Sequence, residues 1–163
     1  MAEIVFNADV VIRGRLTAQS MTVPSDTITD SNVQSGANFA HAKLQHRHLL
    51  KLHQSGNATA ETKPLYIADV AGSVVSVKAA SIVAATGDST CTIDVRKNGT
   101  TVLTGTIVLD NANTARTKEV GTLDGAQALA IGDMLEVVVT VSAGTGTLPT
   151  GLLVEVVVAE NGS

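Results

Sequence analysis

One short stretch contains all of the histidines of the chain: His41, His46, His48 and His53. Alternate residues of a β-strand point to the same face, so His46 and His48 would lie about 7 Å apart on one face. Such a pair suits metal ligation, particularly where chains meet on a threefold axis. No cysteine lies nearby and the nearest carboxylate is Glu61. Because imidazole alone is a nonspecific ligand, we interpret these residues as exposed or interface histidines, with metal binding at His46 and His48 as the alternative.

Other residues that could do chemistry have simpler explanations. A nucleophile elbow needs a G-x-S-x-G pattern, which the sequence lacks. Aspartates recur at or near predicted turns, where a calcium site is conceivable: Asp88, Asp94, Asp110, Asp124 and Asp133. Asp side chains commonly cap turn backbone, which explains these positions more simply. We therefore expect no enzymatic activity and no cofactor.

The composition restricts the partners. The net charge of −4 argues against sequence-independent nucleic-acid binding, which needs a basic face. Apolar runs such as 134–141 are far shorter than the roughly 18 residues that a membrane span requires. Glu3, Asn7 and Asp9 interrupt the first apolar patch, so we expect no signal peptide and synthesis in a cytoplasm. Cys91 cannot form an internal disulfide, because it is the only cysteine, and we expect it to be buried.

The elements that must position these residues are strands. From residue 65 to 160, segments rich in Val, Ile, Leu and Thr alternate with glycine turns at intervals of roughly ten residues. Asn98-Gly99 predicts a type I′ hairpin, because both residues tolerate positive φ. The pattern predicts an all-β fold, an antiparallel β-sandwich or jelly-roll-like body of about eight strands.

The first third of the chain has a different character. Residues 26–38 are polar, with Ile28 and Val33 as the only large apolar side chains, and are predicted to form an extended arm ordered by a neighbour. Residues 40–54 fit either a helix or a strand, and we favour the extended form. The predicted organisation is an extended N-terminal arm at 1–60, with short β pieces, and a β-sandwich body at 61–163.

A scarcity of aromatic residues suggests self-association. The chain has 2 Phe, 1 Tyr and no Trp, so each core side chain buries little area. Valines occupy both faces of the last two predicted strands, and one sandwich covers only one face of each strand. A neighbouring subunit is the expected cover. The predicted subunit-interface residues are Leu50, Leu52, Val138, Val156 and Val158.

Four stretches together resemble the small structural proteins of tailed bacteriophages. They are residues 16–33, the basic, histidine-rich residues 43–53, and the segments DVRKNGT at 94–100 and DMLEVVV at 133–139. Among these proteins the chain most resembles capsid decoration (cement) proteins. The resemblance covers the whole chain in architecture, although no single motif is diagnostic.

The resemblance implies a virion structural protein that binds the outside of an icosahedral phage head as a homotrimer and stabilises its lattice. Its expected location is the capsid surface, after synthesis in the host cytoplasm, and its expected partner is the major capsid protein. Neither nucleic acid nor a membrane is an expected partner. A head-fibre, tail or receptor-binding β module is the alternative. The predicted arm residues that contact the capsid are Val10, Ile12, Arg13, Arg15, Leu16, Met21, Val23, Ile28 and Val33.

Overall fold

In the computed structural model, residues 45–161 are described, and their regular structure consists of ten β-strands. The strands are β1 (Gln45–Asn57), β2 (Glu61–Ile67), β3 (Gly72–Val83), β4 (Thr90–Lys97), β5 (Thr100–Thr101), β6 (Ile107–Leu109), β7 (Glu119–Gly121), β8 (Gln127–Leu129), β9 (Met134–Ser142) and β10 (Thr150–Asn161). The predicted all-β class is confirmed for this part of the chain.

The strands form two antiparallel sheets that pack face to face. Sheet A has the order β1-β10-β3-β7, with β8 also paired to β3. Sheet B has the order β2-β9-β4-β5, with β6 also paired to β4. If β5 with β6, and β7 with β8, are each counted as one interrupted strand, the eight strands form two four-stranded sheets in jelly-roll order. The predicted number of about eight is therefore recovered, with two strands broken in the middle.

The core consists of aliphatic side chains from the facing sides of the two sheets. The largest side chains with almost no exposed surface are Leu52, Ile93, Leu109, Leu135, Leu152, Val77, Val95, Val102, Val137, Val139, Val154 and Val156. They recur at every second residue of β4, β9 and β10, as the period of a strand requires. Cys91 lies among them, and burial raises the pKa of its thiol to about 11. The prediction that this cysteine is buried is confirmed.

The β4–β5 hairpin agrees with its sequence signal. Asn98 and Gly99 have φ values of 51° and 84°, as a type I′ turn requires. The Asn98 side chain also donates to Asp133 Oδ1 at 2.7 Å and accepts from the Met134 backbone N–H at 2.9 Å. This one residue therefore joins the hairpin to the start of β9.

A second close contact joins two loops at one end of the sandwich. The β9–β10 loop, 143–149, lies against the turn at 86–89. A Cβ atom on Gly146 would lie 1.7 Å from the Thr86 carbonyl oxygen, so no larger residue fits there. Asp88 Oδ1 accepts hydrogen bonds from the backbone and the hydroxyl of Thr145. Both loops are thereby held in one conformation.

The two open sides of the sandwich are closed in different ways. On one side, backbone hydrogen bonds of 2.9 Å link Thr104 to Thr122 and Asp124 to Val102, around a bridge between Leu103 and Leu123. On the other side, where β1 and β2 lie, no backbone ladder joins these two strands within residues 45–161.

Several strand boundaries differ from the prediction. The sequence pattern predicts separate strands at 73–80 and 82–85, but the structure has one strand, β3, that continues through the interval between them. The pattern also predicts strands at 101–109 and 115–123, where the structure has only the shorter β5, β6 and β7. Residues 40–54 were ambiguous, and the extended interpretation is confirmed from residue 45 onward.

The sandwich also starts earlier than the predicted boundary at residue 61. β1 pairs with β10 almost from end to end, from Gln45 opposite Asn161 to Asn57 opposite Thr150. Its histidines and charges obscured an apolar side, on which Leu50 and Leu52 contribute to the core. The part of the predicted arm at 1–44 lies outside the described residues.

Replacing Val156 with Ala is expected to destabilise the single chain by about 1–3 kcal/mol, because two buried methyl groups are lost and a cavity remains. Val156 has no exposed surface. The matched control is Val138→Ala, a half-buried position on the outer side of β9. Urea unfolding measured by circular dichroism would give both values, and equal losses for the two variants would contradict this assignment.

Candidate interaction surface

The outer face of sheet A carries exposed apolar side chains on each of its principal strands. We define this face by the residues of β1, β10, β3 and β7 that point away from the sandwich interior. Four of its aliphatic side chains are substantially exposed: Leu49 (56%), Leu153 (39%), Ile82 (49%) and Val120 (59%). Apolar groups on one face of a sheet are typical of a surface that contacts another protein.

This face is also basic. Glu155 lies between Lys51 and Lys78 in the strand register and forms an ion pair with Lys78, Nζ to Oε1 at 3.2 Å. Arg47 and Lys51 are exposed on β1. Arg47, Lys51 and Lys78 thus outnumber Glu155 on this face, although the whole chain has a net charge of −4. A partner with carboxylates is the complementary one.

A shallow hollow of about 200 Å³ lies within the same face. Its walls are Lys78, Ala79, Ala80, Lys118, Leu153 and Glu155. The two lysines and one carboxylate surround small and aliphatic side chains, so the hollow suits an apolar side chain from a partner, flanked by polar groups.

The outer face of sheet B is different in character. Asp94 is 8% exposed and accepts hydrogen bonds from Arg96 Nε at 2.8 Å and from Thr101 Oγ1 at 2.6 Å. Thr92 and Thr140 lie opposite each other on the same face. Asp94, Arg96 and Thr101 are thus paired with one another, and the described strands of sheet B have fewer exposed aliphatic side chains than those of sheet A, which makes sheet A the better candidate for a protein partner.

The residues predicted to form a subunit interface are placed mostly inside the sandwich. Leu52, Val156 and Val158 have at most 1% exposed surface and face the opposite sheet, so they cannot contact another subunit. Leu50 is half-buried and packs against the core. Val138 is half-buried on the outer side of β9. Valines on both faces of β10 led to this prediction, and Val157, on the outer face between Leu49 and Ser76 in the register, is itself only 8% exposed.

The histidines of β1 divide between its two faces. In the register with β10, His46 is paired with Glu160 and His48 with Val158, so the two histidines share one side of β1, as predicted. His53 is paired with Leu153 and lies on the opposite side. Within residues 45–161, no three His, Cys, Asp or Glu side chains are grouped in a way that could hold a metal ion. His41 lies outside the described residues.

His48 belongs instead to a cluster at the open β1–β2 side, which we call the corner cluster: His48, Tyr66 and Glu160. His48 Nε2 lies 2.9 Å from Glu160 Oε2, and the Tyr66 hydroxyl donates to Glu160 Oε1 at 2.5 Å. The two rings are 6.2 Å apart. Side chains thus connect sheet A to sheet B where the backbone does not.

The corner cluster shifts the titration of two of its members. Burial, followed by the hydrogen bond to Glu160, raises the pKa of Tyr66 to about 12. The same hydrogen bond and the contact with His48 lower the pKa of Glu160. The sequence does not reveal this cluster, because Tyr66 and Glu160 are 94 residues apart and neither lies in a recognisable motif.

Asp110 and Asp133 accept local hydrogen bonds at turns, which agrees with the capping interpretation, whereas Asp94 lies within β4. Asp110 Oδ1 accepts from the Ala112 backbone at 2.9 Å, and Asp133 Oδ2 accepts from the Ala130 backbone at 2.8 Å. Backbone hydrogen bonds are the main cause of the lowered pKa of Asp88 and of Asp133.

Comparison of the sequence with models of protein families and with curated proteins gives no match. Along residues 45–161 there is no helix with the length and apolarity that crossing a bilayer would demand. One set of predicted contacts lies outside the described residues: Val10, Ile12, Arg13, Arg15, Leu16, Met21, Val23, Ile28 and Val33. Surface chemistry therefore provides the basis for a functional proposal.

The corner cluster can be tested by titrating the only tyrosine of the chain. Absorbance at 295 nm should show Tyr66 ionising near pH 12 in the folded protein, and near pH 10 in denaturant. Because the folded pKa is the higher one, the stabilising contribution is complete below pH 10 and is lost as the pH rises through 12. Glu160→Gln should move the folded midpoint towards 10, whereas the control Glu136→Gln should leave it unchanged. A midpoint near 10 in the parent protein would exclude the cluster.

Proposed function

We propose that this protein is a virion structural protein that binds the outside of an icosahedral phage head as a homotrimer and stabilises the capsid lattice. The observation that carries the proposal is the outer face of sheet A, where exposed aliphatic side chains accompany concentrated positive charge. Such a face is suited to lasting contact with protein. The resemblance of the sequence to capsid decoration proteins supplies the particular class.

The fold is compatible with this role but does not select it. Jelly rolls occur in viral capsid proteins, lectins and cupins, so fold alone leaves the function open. A sugar-binding jelly roll commonly presents an aromatic ring for stacking, and here the tyrosine of the described region, Tyr66, is half-buried in the corner cluster. A protein partner therefore fits this surface better than a glycan does.

The physical requirements of a capsid clamp agree with a modest, repeated contact surface. A protein that binds only the mature lattice stabilises it by mass action. A trimer makes each contact three times, and the second and third contacts form at high effective concentration. No single contact then needs to be tight. The major capsid protein is the proposed partner of the trimer.

Sheet A variants provide a test of self-association. The double variant Leu153→Asp, Val120→Asp should be a monomer of 16.7 kDa in analytical ultracentrifugation at micromolar concentration, whereas the parent protein should have the mass of three chains. Both side chains are exposed on the outer face, so the introduced carboxylates would lie in the proposed contact between subunits. The matched control is Val108→Asp on sheet B, which is similarly exposed at 40%. All variants should keep the parent circular dichroism spectrum. A monomeric parent protein would overturn the trimer.

The capsid contact is tested with particles assembled from the major capsid protein of the same phage. Deleting residues 2–34 should leave the strands of the sandwich folded but weaken particle binding at least tenfold, because the predicted arm contacts are removed. Co-sedimentation with particles measures occupancy, and circular dichroism checks folding. Unchanged occupancy of the deleted protein would contradict an arm-mediated attachment.

A further inference from the structure

The free edge of β1 differs from the other sheet edges. Among the described residues, β1 pairs with β10 on one side and with no strand on the other. It is 13 residues long, whereas β5, β6, β7 and β8 at the opposite edges have two or three residues each. β2, at the remaining edge, has 7 residues and includes Pro64. Short strands, proline and charged side chains are the usual protections against unwanted strand pairing, and of these β1 has only charge, from Arg47 and Lys51.

Side chains along this edge have a regular pattern. Arg47, Leu49 and Lys51 are exposed at alternate positions of β1 and therefore lie in one row on the outer face of sheet A. Ion pairs among the described residues involve neither Arg47 nor Lys51. The sequence of β1, QHRHLLKLHQSGN, contains no carboxylate. In this row the apolar Leu49 lies between two cationic side chains, Arg47 and Lys51. The row runs beside the backbone edge of β1, which is 13 residues long.

We propose that the free edge of β1 binds an extended acidic segment of a partner protein, which adds to sheet A as a further antiparallel strand. The segment presents acidic, apolar and acidic side chains at alternate positions, opposite Lys51, Leu49 and Arg47. Backbone hydrogen bonds supply the affinity, and the alternating side chains select the segment. The site does not depend on the phage assignment, because its chemistry is the same whichever protein supplies the strand.

Charge excludes the most obvious competitor, a second copy of β1. Antiparallel pairing of two β1 strands near their centres would bring Arg47 and Lys51 of one copy close to the same cations of the other. Like charges on paired strands are destabilising. Because β1 has no carboxylate to offset this repulsion, an acidic strand is the occupant that the edge favours.

A synthetic peptide tests the site in the full chain. The probe is acetyl-Thr-Glu-Thr-Val-Thr-Glu-Thr-amide, with its acidic and apolar side chains on one face. Hydrogen exchange should show slower exchange in β1 upon addition of the peptide, because amides that face the free edge acquire carbonyl partners. A peptide of the same composition with both Glu residues moved to the other face should bind at least fivefold more weakly.

Charge reversal on the protein supplies the second arm of the experiment. Arg47→Glu with Lys51→Glu should reduce probe affinity at least tenfold, whereas Lys118→Glu, near the opposite edge of sheet A, should change it less than twofold. A probe in which Lys replaces Glu should regain affinity for the doubly reversed variant.

Three results would overturn the proposal. The first is that β1 amides exchange slowly before any peptide is added, which would mean that the edge is already covered. The second is that the probe protects strands of sheet B instead of β1. The third is that the β1 charge reversals change the sedimenting mass of the protein alone, which would make the edge a contact between copies. The second result does not depend on trimer formation through Leu153 and Val120, which share the outer face of sheet A with Arg47 and Lys51. None of the three results depends on particle binding.

Discussion

A core built almost entirely from aliphatic side chains constrains this molecule more than any other feature. Leucine and valine each bury less area than a phenylalanine or tryptophan, so the sheets must supply more of them. The long strands of sheet A meet this need: β1, β3 and β10 have 13, 12 and 12 residues. β10 lies between the other two and pairs with both along most of its length. The stability of the sandwich therefore depends on the register of β10.

That constraint also explains why one edge of the sandwich is so exposed. β1 pairs with β10 along nearly its whole length and places Leu50 and Leu52 over the core, and a long edge strand presents a long row of backbone groups. On the side of Leu103 and Leu123, a bridge and two backbone hydrogen bonds join the sheets between short strands. At β1, the corner cluster closes the gap through side chains. The same requirement for buried area thus produces both the core and the candidate partner surface.

The sequence allowed the class of fold to be predicted, because strand periodicity and turn residues are local signals. Met134–Ser142 and the Asn98-Gly99 hairpin are clear cases, since pairing and turn geometry there follow from adjacent residues. Long-range arrangement was less accessible. Val156 and Val157 are both buried, and only the structure shows that Val156 belongs to the core between the sheets and Val157 to the outer face of sheet A. The basic outer face combines residues from β1, β3 and β10, so no single stretch of sequence reveals it.

The contact between Gly146 and the Thr86 carbonyl has a practical consequence for engineering. Loop tips are ordinarily the places where a protein accepts foreign sequence. Here the 143–149 tip is a poor choice, because its backbone lies against the 86–89 turn too closely to admit even a methyl group. The connection at 110–117 is better suited to peptide display or a fluorescent fusion, since most of its residues are exposed to solvent. A cargo inserted there would project from the sandwich while the clamped end stays intact.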